Sequence, residues 1–308
     1  MIKIQHISTI CFFLLVFSCA EKFINDIEIE VPQEELQLVI NLELSAGDTI
    51  AQTFVARTAN IDEGESTFFS DAIVELYKED DLLSLLEYDI NTNEYSTSLE
   101  PDLLVPGNYS IEVSGIDGFE DIKATQSIPP EVNVIDGTYQ ENGTVEQYYG
   151  YAYTVDEALI TIDDPADQEN YYHVKLFGVI EDADGIIRSI SEFFTTSLDP
   201  FAETSFYYDG ILLRDDTFNG EAYDLSVGFS NFFNYNYGYP GSDDDTTYLI
   251  VELNNVSRDY YLYTKSLAAQ LNAIDNPFAE PVVVHNNVEN GIGIFSARNP
   301  TRFRIDFE

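Results

Sequence analysis

The residue with the clearest chemistry in this sequence is Cys19. It follows Leu14-Leu15-Val16-Phe17-Ser18, and Met1, Lys3 and an apolar run from Ile10 to Phe17 precede it. A positive start, a short apolar run and a small residue at the cleavage point make residues 1–18 a secretory signal. The run is too short to cross a bilayer core of about 30 Å as a helix. A thiol directly behind the cleavage point can take a diacylglyceryl thioether, so Cys19 is expected to become a lipidated N-terminus. Cys11, the only other cysteine, leaves with the signal. The mature chain then has no disulfide, no thiolate metal site and no cysteine nucleophile, and must be held by its core.

Other residues have weaker chemistry to offer. Phe229 to Tyr239 alternate aromatic rings with asparagine amides, a surface suited to sugars, peptides or a protein partner. Phe232, Tyr235, Tyr237 and Tyr239 are its candidate stacking platforms, and Tyr148, Tyr149, Tyr151 and Tyr153 form a smaller set. Asp243-Asp244-Asp245, after Pro240-Gly241, is the candidate cation site, with calcium as the ion that oxygen ligands select. Asp182-Ala183-Asp184-Gly185 lacks the further oxygen ligands of a calcium loop and reads as a hairpin turn. His173 and His285 have no serine or aspartate at triad spacing, so both read as structural. Gly291-Ile292-Gly293 lacks the third glycine of a dinucleotide site and marks a strand that another backbone approaches closely.

The elements around these residues are mostly strands. Residues 19–35 mix acids with Pro32 and form a tether. Leu36, Leu38, Ile40, Leu42 and Leu44 then alternate with other residues, a half-buried strand. Strands follow over 50–57, 72–77 and 109–113, with Asp117-Gly118 read as a tight turn whose two central residues both take positive φ. Ile128-Pro129-Pro130 closes this unit, so 36–130 is predicted to be a β-sandwich of immunoglobulin or transthyretin type. Residues 131–308 form a larger, aromatic-rich β domain. It holds one helix near 257–275, capped by Ser257 and stopped by Asn276-Pro277, with Tyr260, Tyr263, Leu267, Leu271 and Ile274 as its apolar stripe.

Charge excludes whole classes of partner. The chain has 13 Lys and Arg against 56 Asp and Glu, a formal net charge of −43. Such a field repels nucleic acid and anionic membrane surfaces alike, leaving the lipid as the only membrane contact.

Several segments together resemble a known family. These are the lipidation cysteine, Gly107-Asn108-Tyr109, Ile128-Pro129, Asn170-Tyr171-Tyr172, Phe278-Ala279-Glu280-Pro281 and the run from Val284 to Ala297. They are similar to the Bacteroidota lipoproteins of domain of unknown function 4249, over nearly the whole mature chain. The family often has Tyr-Ser where this chain has His285-Asn286, which weakens any catalytic role for His285. The resemblance implies an outer-membrane, lipid-anchored protein, on the cell surface or the periplasmic face. It further implies a non-enzymatic accessory or ligand-capturing subunit beside a TonB-dependent receptor. The residues alone leave open a self-standing surface module for a small glycan or peptide.

Overall fold

The computed structural model describes residues 35–60, 67–148, 151–166, 168–230, 246–274, 276 and 278–307. The strands of the first half are β1 (Leu38–Ser45), β2 (Ile50–Thr53), β3 (Val55–Arg57), β4 (Thr67–Phe68) and β5 (Ile73–Lys78). They continue as β6 (Asp81–Asp89), β7 (Glu94–Ser98), β8 (Gly107–Ser114) and β9 (Ile122–Ile128). The second half opens with a long hairpin, β10 (Val134–Tyr148) and β11 (Tyr151–Asp163), then β12 (Tyr171–Glu181) and β13 (Ile187–Glu192). Next come β14 (Thr195–Thr196), β15 (Glu203–Ser205), β16 (Tyr208–Arg214), β17 (Ala222–Phe229) and β18 (Thr246–Val256). Helix α1 (Arg258–Ile274) and β19 (Gly291–Asp306) complete the chain. The protein is mainly β, and its sheets stack as sandwiches.

A nine-stranded sheet runs in the order β15-β16-β12-β18-β19-β1-β3-β4, with β13 on the far half of β12. Its long strand β19 belongs to both halves of the chain. Residues Gly291 to Arg298 pair in parallel with β1, and Arg298 to Asp306 pair antiparallel with β18. Parallel neighbours need a long connection, and here nearly the whole sequence supplies it. By strand alternation residues 295, 297, 303 and 305 share one side of β19. Phe295 and Ala297 enter the core against the six-stranded sheet β2-β7-β6-β5-β8-β9. Ile305, with Phe303 beside it, enters the core against the four-stranded sheet β10-β11-β17-β14. The units on either side of residue 130 are thus bound by one shared strand.

Gly293 allows this. Its φ is +133°, and a Cβ there would lie 1.8 Å from the Ile40 carbonyl oxygen, so β1 and β19 meet only because the side chain is absent. The close approach expected at this glycine is what the fold uses. Leu38, Ile40, Leu42 and Leu44 are all buried along the paired strand, each contributing about 1.5–3 kcal/mol of apolar burial.

Three local expectations are corrected. The predicted strand over 50–57 is two strands in two sheets, because the chain changes sheet at Phe54 between β2 and β3. At Asp117-Gly118 only Gly118 has positive φ, +86°; the turn sits in the longer β8–β9 connection and is closed by Phe119 N donating to Ile116 O. In α1 the fully buried residues are Tyr261 and Ala268, whereas Ile274 of the expected stripe is 67% exposed. The helix rests on a small apolar cluster of Tyr171, Leu212 and Val256 around Tyr261, so a narrow contact replaces the wide apolar stripe. Ser257 does cap it, accepting from Tyr260 N at 3.3 Å. Asp182 and Gly185 form the expected hairpin turn, with Asp182 Oδ1 accepting from the N–H groups of Asp184 and Ile186.

Candidate interaction surface

The side of the nine-stranded sheet opposite both cores is divided into two halves. At one end α1 covers it. His173 on β12 is 3% exposed, with Nδ1 2.8 Å from the Tyr260 hydroxyl and Nε2 2.6 Å from the Asp209 carbonyl. A carbonyl only accepts, so Nε2 carries the proton and Nδ1 accepts from Tyr260. Burial holds the imidazole at a pKa of about 4, well below its ordinary value. Gly210, at φ +89°, makes the fit possible: a Cβ there would sit 2.7 Å from His173 Nε2.

The start of α1 is stapled to β19 through side chains. Asp259 Oδ1 lies 2.7 Å from His285 Nε2, and Oδ2 accepts from Gln126 and Asn287 at 2.9 and 3.1 Å. Burial alone would raise the Asp259 pKa, but these donors hold it below the usual carboxylate range. Asn287 accepts from Phe295 N at 2.9 Å and donates to Phe295 O at 2.8 Å. Asn286 bridges the residues just before Phe295 on the strand, accepting from Gly293 N and donating to Gly291 O. On the edge of β19 that β18 does not reach, these amides stand in for a neighbouring strand. The segment that carried the family resemblance is therefore a structural clamp, and His285 belongs to it.

Next to the helix the sheet face is ionic. Glu252 is 5% exposed and accepts from Arg302 at 3.0 and 2.9 Å and from Arg298 at 3.4 Å; Arg298 also reaches Glu43 at 2.7 Å. Lys175 pairs with Glu192 at 3.0 Å, and Arg304 pairs with Asp306 while stacking 3.6 Å above the Tyr248 ring. Four of the chain's 13 basic residues thus neutralise carboxylates on this one face.

Beyond the ionic band the face is bare. Phe177, Val179, Ile187, Ile190, Tyr248, Ile250 and Arg302 line a shallow hollow of about 220 Å³. Ile187 is 50% and Ile190 59% exposed, both on β13, which pairs with β12 and with no second strand among the described residues. The hollow is thus apolar, lies on an edge strand and is flanked by paired charges in a strongly acidic chain.

Cys19, Phe232, Tyr235, Tyr237, Tyr239, Asp243, Asp244 and Asp245 lie outside the described residues, as does Tyr149. The chain leaves β17 where Phe229 pairs with Thr195 and returns to β18 where Thr246 pairs with Glu181. Tyr153 stands 42% exposed on the long hairpin. Among the described residues no group of three or more His, Cys, Asp or Glu is arranged to hold a metal. The β13 hollow has no signal in the sequence: Ile187 and Ile190 stand three positions apart and share a face only because of the bulge in the β12–β13 pairing.

The family model described as domain of unknown function (DUF4249) matches residues 24–304. Among solved structures, a Corynebacterium diphtheriae protein described as a candidate membrane-anchored protein aligns with 85% of this chain at 12% identity and a TM-score of 0.22. The chain spans 58% of that protein's length, and a likeness this slight carries no argument. No curated protein matches the sequence.

Proposed function

The chain belongs to the family described as domain of unknown function 4249, and from that premise we propose that it is a lipid-anchored, non-enzymatic accessory of an outer-membrane uptake complex. In this reading it is a Bacteroidota lipoprotein. Lipidated Cys19 holds it to the outer membrane, the tether stands it off, and the bare half of the sheet face meets a TonB-dependent receptor. The observation that carries the reading is the hollow around Ile187 and Ile190: an exposed apolar surface with neutralised surroundings, in a chain of net charge −43. A partner can approach there without the repulsion that the rest of the surface exerts. The polar residues that could have served chemistry are otherwise engaged, since His173 and His285 both hold α1 in place. Capture of the full-length protein in mild detergent tests the proposal. It predicts a stoichiometric β-barrel receptor in the eluate; a chain that always extracts alone contradicts it.

A further inference from the structure

A second hollow, of about 350 Å³, lies between the β15–β16 hairpin and α1. One wall is the hairpin tip. Ser205 Oγ accepts from Tyr207 N at 3.2 Å, fixing a turn that holds Phe206 87% exposed, with the Tyr207 ring perpendicular to it at 5.9 Å. The facing wall is helical, with Ala268 and Ala269 leaving room and Asn272 exposed beside them. The floor is fixed by Glu203, whose carboxylate accepts from Tyr261 at 2.6 Å and from Lys265 at 2.7 Å.

The polar groups of this hollow are more telling than its rings. Tyr208 lines it with its ring packed edge-on against His173, yet its hydroxyl has no hydrogen-bond partner among the described residues. Lys265 uses only part of its donor capacity on Glu203, and the Asn272 amide faces solvent. Glu203 and Lys265 cancel one another, so the hollow attracts neither anions nor cations strongly. A purely apolar ligand would leave the hydroxyl, ammonium and amide without partners, so the hollow favours a ligand that itself donates and accepts.

We infer that this hollow binds a neutral saccharide, whose C–H face stacks on Phe206 while Tyr208, Lys265 and Asn272 meet its hydroxyls. A sugar ring has the two chemistries this hollow displays, an apolar C–H face and a rim of hydroxyls that both donate and accept. The inference goes beyond the proposed docking role and adds a ligand site on a different part of the molecule.

Titration of the full-length lipidated protein in detergent micelles with maltohexaose, cellohexaose, xylohexaose and mannohexaose tests it, read by calorimetry and by tyrosine fluorescence, since the chain has 21 Tyr and no Trp. At least one of these sugars should bind saturably. Phe206→Ala and Asn272→Ala should each weaken that binding by about tenfold or more, with melting temperatures unchanged because both side chains are exposed. Phe206→Tyr should retain it. Absence of saturable binding by all of the sugars, or full binding by Phe206→Ala, overturns the inference. Receptor co-purification is measured separately, so either result can fail while the other stands.

Discussion

The two halves of one sheet face are finished differently. Around α1, polar groups meet partners: His173 beneath it has Tyr260 and Asp209, Asp259 on it has three donors, and Glu252 beside it has two arginines. A few strand positions away, Ile187 and Ile190 face solvent on an edge that no described strand covers. Both halves share β12, β18 and β19, so the difference does not arise from a weak scaffold. The covered half is closed by its own partners, and the bare half is where we propose that a partner docks.

That contrast predicts a graded set of effects. Gly293→Ala should be the most damaging single change, because its Cβ would meet the Ile40 carbonyl at 1.8 Å in a strand that enters both cores. A loss of about 4 kcal/mol or more is expected, with both halves of the chain melting in one transition. Two separate transitions, with the second half unchanged, would break the picture of a shared strand. Gly47→Ala is the control: φ is +79° but nothing lies within 4 Å, so the loss should be about 1 kcal/mol.

Acid should act next through His173. Its folded pKa, about 4, lies below the unfolded value near 6.5. The unfolded chain therefore takes up a proton first as pH falls. The stabilising contribution of the neutral ring is whole above pH 6.5 and is lost as pH drops toward 4, about 3 kcal/mol by then. Melting curves of the parent and of His173→Gln between pH 7 and pH 4 should converge in slope only if another group dominates. Asn287→Ala should cost about 2 kcal/mol, since the N–H and C=O of Phe295 both lose a partner and Asp259 loses a donor. A loss below about 0.5 kcal/mol would show that the amides do not replace a strand.

On the bare half the expected sign is different. Ile187→Lys with Ile190→Lys should leave stability within about 0.5 kcal/mol, because both side chains are exposed, while receptor association is lost. A large fall in melting temperature would mean that the hollow is part of the core after all.

Local features of this fold were legible in the sequence wherever pattern and structure depend on neighbours. The alternation from Leu36 to Leu44 gave β1, Ser257 gave the start of α1, and Asp182 to Gly185 gave a hairpin. Features that depend on distant pairing were not. Nothing near Gly291 indicates that its strand pairs with residue 38 on one side of the chain and later residues pair with β18, although Gly293 signalled that some backbone would come close. The helix stripe misled because spacing reports which residues could face a core, and α1 meets the sheet only at the small cluster Tyr171, Leu212 and Val256 and at the polar His173. The β13 hollow was illegible for a related reason: Ile187 and Ile190 stand three positions apart and share a face only through the bulge between them, which pairing alone reveals.

The most direct test of the central claim is a parallel capture of the full-length protein and its Ile187→Lys/Ile190→Lys variant from cells in mild detergent. The account predicts a stoichiometric TonB-dependent β-barrel with the parent and none with the equally folded variant. Recovery of both proteins alone, or of the barrel with both, would contradict the assignment of the bare sheet face as the docking surface.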